Sequence, residues 1–449
     1  MKLPKITLQK KPTYVSFAQD IDFHGLFKKI EQEFDTCFIF ESLGEEGKFS
    51  RYSIIGLAPK HVISARENLL FFDGIAYPVK NPYFALENIM PSYTISKNYA
   101  GGLVGYLAYD AINYFESSLS VKVNHDFDQF MFGVYTDGVI FDKVTNELFY
   151  FYYDENRIEI LKDLLKKPTK KLMLKAKFLG NTSSKAEHEK QVRNVQKHIL
   201  LGNTFQCEVG FKTKFKIQGD SLLMYERLRK INPSPFMYYL KFNKKRIIGA
   251  SPELLFSLRD GEMVTRPLAG TIKRGKNLKE DKKLARDLLS DSKEVAEHNM
   301  LVDLHRNDIG RVAKFGTVKV RDFMNVKKFS HVQHISSEIV GIMKNGQTMF
   351  SALASNFPAG TLTGAPKIES IKIIESLEKE ARGVYGGAVG QFGFNGDCTF
   401  AIAIRSLFFL GEFGYTQTSG GIVCDSKPEK EYEEIERKLK AIMEVLKKL

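Results

Sequence analysis

Residues 205–217 read Phe-Gln-Cys-Glu-Val-Gly-Phe-Lys-Thr-Lys-Phe-Lys-Ile. Apolar and polar side chains alternate along this stretch, and a period of two predicts a β-strand with two different faces. The apolar face is formed by Phe205, Cys207, Val209, Phe211, Phe215 and Ile217. Gln206 lies on the polar face. The stretch therefore predicts a long strand with one apolar, buried face and one polar face.

A helix is predicted directly before this strand. Val192, Val195 and Ile199 recur at helical spacing, and Gly202 is placed to end the helix. Upstream, the first 165 residues contain short apolar runs separated by Gly, Pro and Asn, which is typical of strands. Residues 166–185 are rich in lysine and polar side chains. We therefore predict an N-terminal domain at 1–165, a linker at 166–185 and a C-terminal domain at 186–449.

Composition limits the classes of protein to consider. Hydrophobic residues make up 43% and charged residues 27% of the 449 residues, as in ordinary globular proteins. No apolar run approaches the roughly 18 residues that span a bilayer, and no apolar stretch follows the first lysines, so we expect neither a membrane protein nor a secretory signal. The four cysteines show no CxxC spacing, which argues against a disulfide framework or a zinc site. A reduced, cytoplasmic protein is predicted.

The net charge of +13 permits a competing interpretation, a non-catalytic protein that binds nucleic acid. However, the lysines are spread along the chain, and no aromatic and basic RNA-binding signature accompanies them. A lysine-rich solvated surface explains this charge better. We therefore expect no nucleic-acid partner.

Two pairs of glutamates have the spacing of a metal site. Glu294 and Glu297 lie three residues apart on a helix that begins near Ser292, and Glu431 and Glu434 repeat the spacing on the last helix. Residues three apart project from one helix face. Oxygen ligands of this kind suit Mg²⁺. By spacing alone, however, glutamates on a solvated helix surface are the simpler explanation.

Glycine-rich turns form a second group of candidates. The loop at 358–367 carries Thr361 and leads into a predicted helix at 367–378, and backbone N–H groups at a helix start bind anionic oxygens well. Gly420 and Gly421 precede the Glu431 helix, and Tyr385 precedes a strand that leads to Arg405. Each could be an ordinary turn, and His334 could be structural. The residues alone therefore indicate a metal-assisted enzyme for a small anion without naming it.

In combination these stretches resemble the chorismate-utilising enzymes, most closely the family of anthranilate synthase component I. The matching segments follow the family order from about residue 186 to 445, and they lie at 251–255, 266–271, 293–304, 306–311, 358–367, 385–390 and 420–434. The N-terminal part matches more weakly, at 40–42 and 51–56. The resemblance implies an α/β (α+β) fold with two packed, mainly antiparallel sheets flanked by helices.

The resemblance also implies roles for individual residues. Mg²⁺ would be bound by Glu297 and Glu434, with Glu294 and Glu431 orienting metal-bound water. The substrate-binding residues would be Gly270, Thr271, Tyr385, Arg405, Gly420, Gly421 and Gln206. The catalytic residues would be His334, Glu294 and Thr361. In this scheme Glu294 protonates the departing 4-hydroxyl of chorismate, and His334 removes the ring proton as pyruvate is eliminated.

Two positions bear on the product. Isochorismate and salicylate synthases carry a lysine where this chain has Gln206, so water is not expected to be the nucleophile. Many aminodeoxychorismate synthases carry a lysine where this chain has Ala269. The resemblance thus favours anthranilate formed through 2-amino-2-deoxyisochorismate, with aminodeoxychorismate synthase component I as the alternative.

Regulation and partners are implied in the same way. The family senses tryptophan between two motifs, which would place inhibitor-binding residues at Glu41, Ser42, Pro233, Ser234, Phe236 and Met237. Without the resemblance, these segments would be a strand end and a rigid turn. No cysteine lies in a glutamine-amidotransferase context. We therefore expect a separate glutaminase subunit to supply ammonia, in a heterotetramer of two large and two small subunits.

Overall fold

The computed structural model describes residues 2–8, 11–17, 21–43, 51–91, 96, 99–329 and 332–447. The strands in this part of the chain are β1 (Thr13–Ser16), β2 (Thr36–Glu41), β3 (Tyr52–Leu57), β4 (His61–Arg66), β5 (Leu69–Phe72), β6 (Ile75–Pro78), β7 (Gly102–Leu107), β8 (Phe130–Tyr135), β9 (Asp137–Asp142), β10 (Glu147–Tyr152), β11 (Leu174–Asn181), β12 (Gln206–Gly219), β13 (Phe236–Phe242), β14 (Lys245–Ser251), β15 (Leu254–Arg259), β16 (Glu262–Thr265), β17 (Leu268–Lys273), β18 (Lys319–Lys328), β19 (Val332–Ile342), β20 (Gly364–Ala365), β21 (Ala388–Gly393), β22 (Cys398–Ile402), β23 (Ser406–Leu410) and β24 (Phe413–Ile422).

The helices lie mainly between and around these strands. They are α1 (Phe23–Glu33), α2 (Pro82–Ile89), α3 (Ile158–Lys166), α4 (Lys185–Leu200), α5 (Leu222–Ile231), α6 (Leu278–Ser290), α7 (Ser292–Gly310), α8 (Met349–Asn356), α9 (Lys367–Leu377) and α10 (Pro428–Lys447). The predictions of a helix before Gly202, a long strand after it and a helix from residue 367 are confirmed by α4, β12 and α9. Among the described helices, none is long and apolar enough to cross a membrane.

Two antiparallel sheets form the centre of the molecule. The first has the order β1-β10-β9-β3-β2-β13-β14-β23-β24-β12-β11, with β20 added to β12. The second has the order β17-β19-β16-β15-β22-β21-β7-β8-β4-β5-β6, with β18 added to β19. One hydrophobic core joins Phe38 and Leu240 of the first sheet to Phe132 and Phe400 of the second. The predicted fold of two packed sheets is thus confirmed.

The outer face of the first sheet is covered by helices. A second core packs Leu26 of α1, Leu161 of α3, Tyr225 of α5 and Ile442 of α10 against strand residues such as Tyr239. Alternate residues of one strand therefore enter different cores, as a pleated strand between two apolar layers requires. This arrangement fixes α10 at the end of the first sheet.

The predicted domain boundary does not coincide with a division between the sheets. β2 pairs with β13, and β7 pairs with β21, so each sheet combines strands from before residue 165 and after residue 186. The predicted linker at 166–185 is wrong over Leu174–Asn181, because β11 pairs there with β12. β11 is an edge strand. Lysines are frequent on edge strands because they discourage pairing with other chains, which explains the linker-like composition.

Candidate active site

The N-terminal turns of α7 and α10 carry the two glutamate pairs. Asp291 caps α7 by accepting hydrogen bonds from the N–H groups of Lys293 and Glu294. Glu294 and Glu297 follow in the first two turns of α7, and Glu431 and Glu434 occupy the same turns of α10. The charge of Glu434 raises the pKa of the other three carboxyls, which places the two pairs within electrostatic range of each other. The charges of the two glutamate pairs therefore act on each other across the two helices.

Burial and mutual repulsion disfavour negative charge on this cluster. Burial is the main reason why the pKa values of Glu294, Glu297 and Glu431 are raised. At Glu434 burial acts in the same direction, but the Lys438 ammonium at 2.8 Å outweighs it and lowers the pKa. A cation placed among the four carboxylates would relieve the repulsion. The cluster is thus electrostatically suited to a divalent ion.

The donor chemistry of the cluster fits Mg²⁺, although its side chains are not gathered into a finished coordination sphere. Within the described residues, no three acidic, histidine or cysteine side chains are close enough to hold a metal ion by themselves. Two glycines leave room for the carboxylates of Glu294 and Glu431. A Cβ on Gly270 would lie 3.0 Å from Glu294 Oε2, and one on Gly420 would lie 3.2 Å from Glu431 Oε2. Mg²⁺ takes oxygen ligands and keeps several waters, so a few carboxylates suffice.

His334 on β19 contacts Gly270 and Thr271 of β17 and is a neutral base. Its Nδ1 lies 2.7 Å from the Gly270 carbonyl and 3.1 Å from Thr271 Oγ1. Because a carbonyl only accepts, Nδ1 carries the hydrogen, an assignment that follows from the hydrogen-bond network. Burial and the Arg405 charge lower the pKa of His334 to about 4. The buried Nε2 has no hydrogen-bond partner among the described residues, so its lone pair is free.

Glu253 is a buried carboxyl that the sequence analysis did not assign. Its Oε1 accepts hydrogen bonds from Thr361 Oγ1 at 3.0 Å and from the Leu268 N–H at 3.3 Å. Burial raises the pKa of Glu253 to about 8, against the opposing effect of these bonds. Glu253 is therefore mostly protonated at neutral pH. The predicted site residue Thr361 touches this carboxyl directly.

Arg405 is held in an unusual backbone conformation at the end of β22. Its φ angle is 51°, in the left-handed region that non-glycine residues rarely adopt. Its guanidinium makes no hydrogen bond or ion pair with the described side chains, while its charge acts on Glu253 and His334. A guanidinium without a protein partner suits a ligand carboxylate, which it can bind with two hydrogen bonds.

Tyr385 anchors the wall opposite the histidine. Its hydroxyl bonds to Ser419 Oγ at 2.7 Å, and Ser419 donates in turn to Glu208 Oε2 at 2.7 Å. The Arg382 guanidinium lies 5.7 Å from the Tyr385 ring centre and is paired with Glu378, which fixes the ring from behind. Burial raises the pKa of Glu208 to about 7. Glu208 is the second functional candidate that the sequence analysis missed.

Gln206 and Gly421 complete the site. Gln206 Nε2 donates to Glu297 Oε1 at 3.0 Å, and Gly421 faces Glu208 across the strand pair β12–β24. A Cβ on Gly421 would lie 2.5 Å from Gln206 Nε2, so a larger residue there would displace the Gln206 amide. Direct contacts or mutual charge effects thus connect the residues predicted from the sequence into one cluster. We call the region that they surround the active-site cleft.

Four of the six predicted inhibitor-binding residues lie elsewhere, around a cavity of about 550 Å³ between the sheets. Glu41, Ser42, Phe236 and Met237 line this cavity, whereas Pro233 and Ser234 are not among its lining residues. The Glu41 carboxylate already accepts a hydrogen bond from Tyr225 at 2.8 Å and is paired with Arg229 at 2.8 Å. Ser42 Oγ is buried and has no partner among the described residues.

The chemistry of the cleft determines the class of protein. Among the described residues, the site combines a guanidinium without a side-chain partner, a neutral histidine with an open nitrogen and a protonated carboxyl with a cluster of four glutamates. Such groups bind a small carboxylate and move protons on it, and nothing comparable is needed to hold nucleic acid. The protein is an enzyme that acts on a small organic acid.

Comparison with known proteins identifies which organic acid its relatives bind. Residues 35–444 match the family of chorismate binding enzymes, and the chain belongs to that family. It is 52% identical over 99% of its length to "Anthranilate synthase component 1" of Leptospira biflexa, covering 98% of that protein. The component 1 of Methanothermobacter thermautotrophicus is 41% identical, with 93% of this chain and 90% of that protein covered.

A solved structure agrees with these relatives. The crystal structure of anthranilate synthase component I from Streptococcus pneumoniae TIGR4 matches with a TM-score of 0.78 and 33% identity, covering 88% of this chain and 93% of that one. The resemblance inferred from the motifs is therefore confirmed, and so is the fold that it implied.

Proposed function

We propose that the protein is the chorismate-using subunit of an anthranilate synthase, which forms anthranilate and pyruvate from chorismate and ammonia. The observation that carries this proposal is His334, whose neutral ring has a buried Nε2 without a hydrogen-bond partner among the described residues. Elimination of pyruvate from 2-amino-2-deoxyisochorismate requires removal of a ring proton, and this nitrogen is a base for it. A chain that stopped at an aminated intermediate would not need such a base.

The remaining residues then take complementary roles. Arg405 binds a substrate carboxylate, and Thr271 and Tyr385 border the ring. Bound Mg²⁺, held by Glu297 and Glu434 with Glu294 and Glu431 around its waters, would withdraw electron density through the ring carboxylate. His334 takes the ring proton, and its Nδ1–H stays bonded to Gly270 so that the ring keeps its orientation.

The proton donor to the departing 4-hydroxyl is Glu253 in this proposal, rather than Glu294 as the sequence resemblance suggested. Glu253 is protonated at neutral pH and lies apart from the metal-binding carboxylates, with Thr361 and Leu268 fixing its position. Glu294 belongs to the cluster whose negative charge is needed for a cation. A proton donor must be neutral and a cation ligand must be charged, so we assign these two roles to different carboxyls.

Product identification tests the proposed function directly. The purified chain is incubated with chorismate, Mg²⁺ and an ammonium salt, and the products are separated and identified. Anthranilate, detected by its fluorescence, together with pyruvate is the expected result. Accumulating aminodeoxychorismate would place the protein in the alternative branch, and salicylate or isochorismate would show that water is the nucleophile.

We also propose a glutaminase partner, because no cysteine lies in a glutamine-amidotransferase sequence context and three of the four thiols are buried. Cys37, Cys207 and Cys398 are buried, and burial raises their pKa values far above neutrality. Cys424 is exposed. A heterotetramer of two large and two small subunits remains a prediction of the resemblance, as does the cytoplasmic location.

The partner is expected to contact the apolar surface directly before Gln206. Leu200, Leu201 and Phe205 expose 76%, 75% and 72% of their surface. Adjacent exposed apolar residues commonly mark interfaces. Phe205→Ser should lower glutamine-dependent activity in the presence of the partner at least about ten-fold, since a buried aromatic anchor often contributes 2 kcal/mol or more. Steady-state rates with glutamine and with ammonium are compared.

The matched control for this surface is Phe315→Ser. Phe315 is fully exposed and follows the C-terminal end of α7. This helix is about 28 Å long, and the glutamate pair of the active site lies in its N-terminal turns. Phe315→Ser should leave both activities unchanged. If Phe205→Ser lowers ammonium-dependent activity as strongly as glutamine-dependent activity, the interface assignment is wrong.

We also propose that tryptophan inhibits the enzyme by binding in the cavity between the sheets, which we call the regulatory cavity. The buried Ser42 Oγ is available to the amino acid, and Phe236 and Met237 offer an apolar contact for the indole. Because Tyr225 and Arg229 occupy the Glu41 carboxylate, we assign Glu41 only a supporting role. Pro233 and Ser234 would act by shaping the 232–237 segment, since the Ser234 carbonyl accepts from the Leu43 N–H at 2.9 Å.

Ser42→Leu is expected to raise the inhibition constant for tryptophan at least about ten-fold while uninhibited turnover stays the same. The leucine removes a hydrogen bond and fills part of the cavity, and each effect costs about 1 kcal/mol or more. The chain contains no tryptophan, so bound ligand is followed by its own fluorescence. Ser118→Leu, at an exposed serine, is the control. If inhibition by tryptophan is unchanged in Ser42→Leu, tryptophan does not bind in the regulatory cavity.

A further inference from the structure

A second cavity, of about 970 Å³, lies along the far part of β12. Strands β12, β23 and β24 form one wall, and the segments 120–127 and 379–381 form the others. None of its lining residues is among those assigned to the active site or to the regulatory cavity. A cavity of this volume is large enough for a small organic molecule. We call it the Lys212 cavity.

Lys212 is a cation in the wall of this cavity that has been removed from water. The residue is 4% exposed, and among the described residues its Nζ makes no hydrogen bond. Its contacts are the Tyr415 ring, whose centre lies 4.1 Å from Nζ, and Glu380 Oε2 at 4.0 Å. The other oxygen of Glu380 accepts a hydrogen bond from Lys214 at 2.6 Å. A buried ammonium with so little compensation indicates an acceptor inside the cavity.

Burial also lowers the pKa of Lys212 to about 8, although the Glu380 charge opposes this effect. The ammonium form is therefore the main form at neutral pH, but the protein stabilises it less well than water does. A bound anion would restore that stabilisation. A group with such a pKa in the wall of a cavity is a common feature of binding sites.

The other charged residues of the cavity compete little for an anion. Lys122 and Lys379 each pair with a glutamate of a neighbouring helix, at 3.1 and 2.6 Å. The acidic lining residues Glu67 and Asp126 are exposed, so solvent screens their charges. Lys212 is therefore the buried charge that an anion in this cavity would meet.

Exposed apolar side chains line the same cavity. Leu179 on β11, Leu410 at the end of β23 and Phe413 at the start of β24 expose 48%, 36% and 58% of their surface. Exposed apolar residues that are gathered around one cavity mark a binding surface, unlike residues that are scattered singly. A ligand with both an acid group and an apolar part would match this lining.

We propose that the Lys212 cavity binds a small carboxylate with an apolar tail. The carboxylate accepts hydrogen bonds from the Lys212 ammonium, and such charge-assisted bonds are strong where water is excluded. The tail covers Leu179, Leu410 and Phe413 and removes their apolar surface from water. This site is additional to the proposed function and does not depend on it.

Isothermal titration calorimetry with hexanoate tests this inference on the full-length chain at neutral pH. Two further probes separate the contributions of the charge and the tail. Hexanamide has the same tail without the charge, and acetate has the charge without the tail. Each should bind at least about ten-fold more weakly than hexanoate.

Variants of the chain locate the binding. Lys212→Met keeps an unbranched apolar side chain but loses the ammonium, and it should weaken hexanoate binding at least about ten-fold. Phe413→Ser removes the exposed ring and should weaken it about five-fold. Lys177→Met is the matched control, because Lys177 is an exposed lysine of the same sheet that does not line the cavity. It should bind hexanoate like the wild type.

The inference is overturned if the wild type does not bind hexanoate, or if hexanamide or acetate binds equally well. It is also overturned if Lys212→Met binds hexanoate as tightly as Lys177→Met, since the ligand then lies elsewhere. Circular dichroism checks the folding of each variant. Should Lys212→Met fail to fold, Phe413→Ser decides, because an exposed side chain can be replaced without disturbing the core.

Discussion

Glu297→Gln and Glu434→Gln are each expected to reduce anthranilate formation about a thousand-fold at fixed Mg²⁺. An amide has no negative charge, so the variant loses the main attraction for the cation, and Lewis-acid stabilisation is worth several kcal/mol of the barrier. Each variant also lowers the repulsion that raises the pKa of the neighbouring carboxyls. Isothermal titration calorimetry with Mg²⁺ measures binding without turnover and should show weakened binding in both.

Glu433→Gln is the matched control on the same helix. Glu433 is adjacent to Glu434, but it is 51% exposed and pairs only with Lys430 among the described residues. It should bind Mg²⁺ and turn over chorismate like the wild type. If all three variants lose Mg²⁺ binding to the same extent, the effect comes from net charge, and α7 and α10 do not form a specific cation site.

The sequence predicted the local parts of this site better than their assembly. The i,i+3 spacing placed Glu294 and Glu297 on one helix face, and β12 and α4 were recognised from their periodicity. Spacing contains no information about which helices meet, so the convergence of α7 and α10 followed only from the family resemblance. The edge strand β11 was missed because its exposed lysines resemble those of a linker.

Glu253 and Glu208 were missed for different reasons. Glu253 lies in a recognised motif, but its role depends on burial and on contacts with Thr361 and Leu268, which are distant in sequence. Glu208 follows Gln206 by two residues on the same face of a predicted strand. The alternation that predicted β12 therefore contained a signal for Glu208, because a glutamate beside a candidate substrate residue shares its surroundings.

Glu253→Gln is expected to lower kcat by about 10² to 10⁴, with little change in the KM for chorismate. The amide fills the same space but has no acidic proton for the departing hydroxyl, and general acid catalysis commonly contributes a factor of this size. Stopped-flow or steady-state anthranilate fluorescence measures the rate, and circular dichroism checks that the buried site tolerates the amide. A kcat within about three-fold of the wild type would leave Glu294 as the better candidate for proton donation.

The pH dependence provides an independent test of the same carboxyl. Burial raises the pKa of Glu253 to about 8, so the active protonated form is complete well below that pH and is lost as the pH rises through it. At constant free ammonia, kcat/KM for chorismate should therefore fall above about pH 8, and Glu253→Gln should lack this decline. The Thr361 hydrogen bond lowers the pKa of Glu253, so Thr361→Val should move the decline to higher pH. If Thr361→Val instead moves the decline to lower pH, the group that titrates is not a Glu253 carboxyl that accepts a hydrogen bond from Thr361.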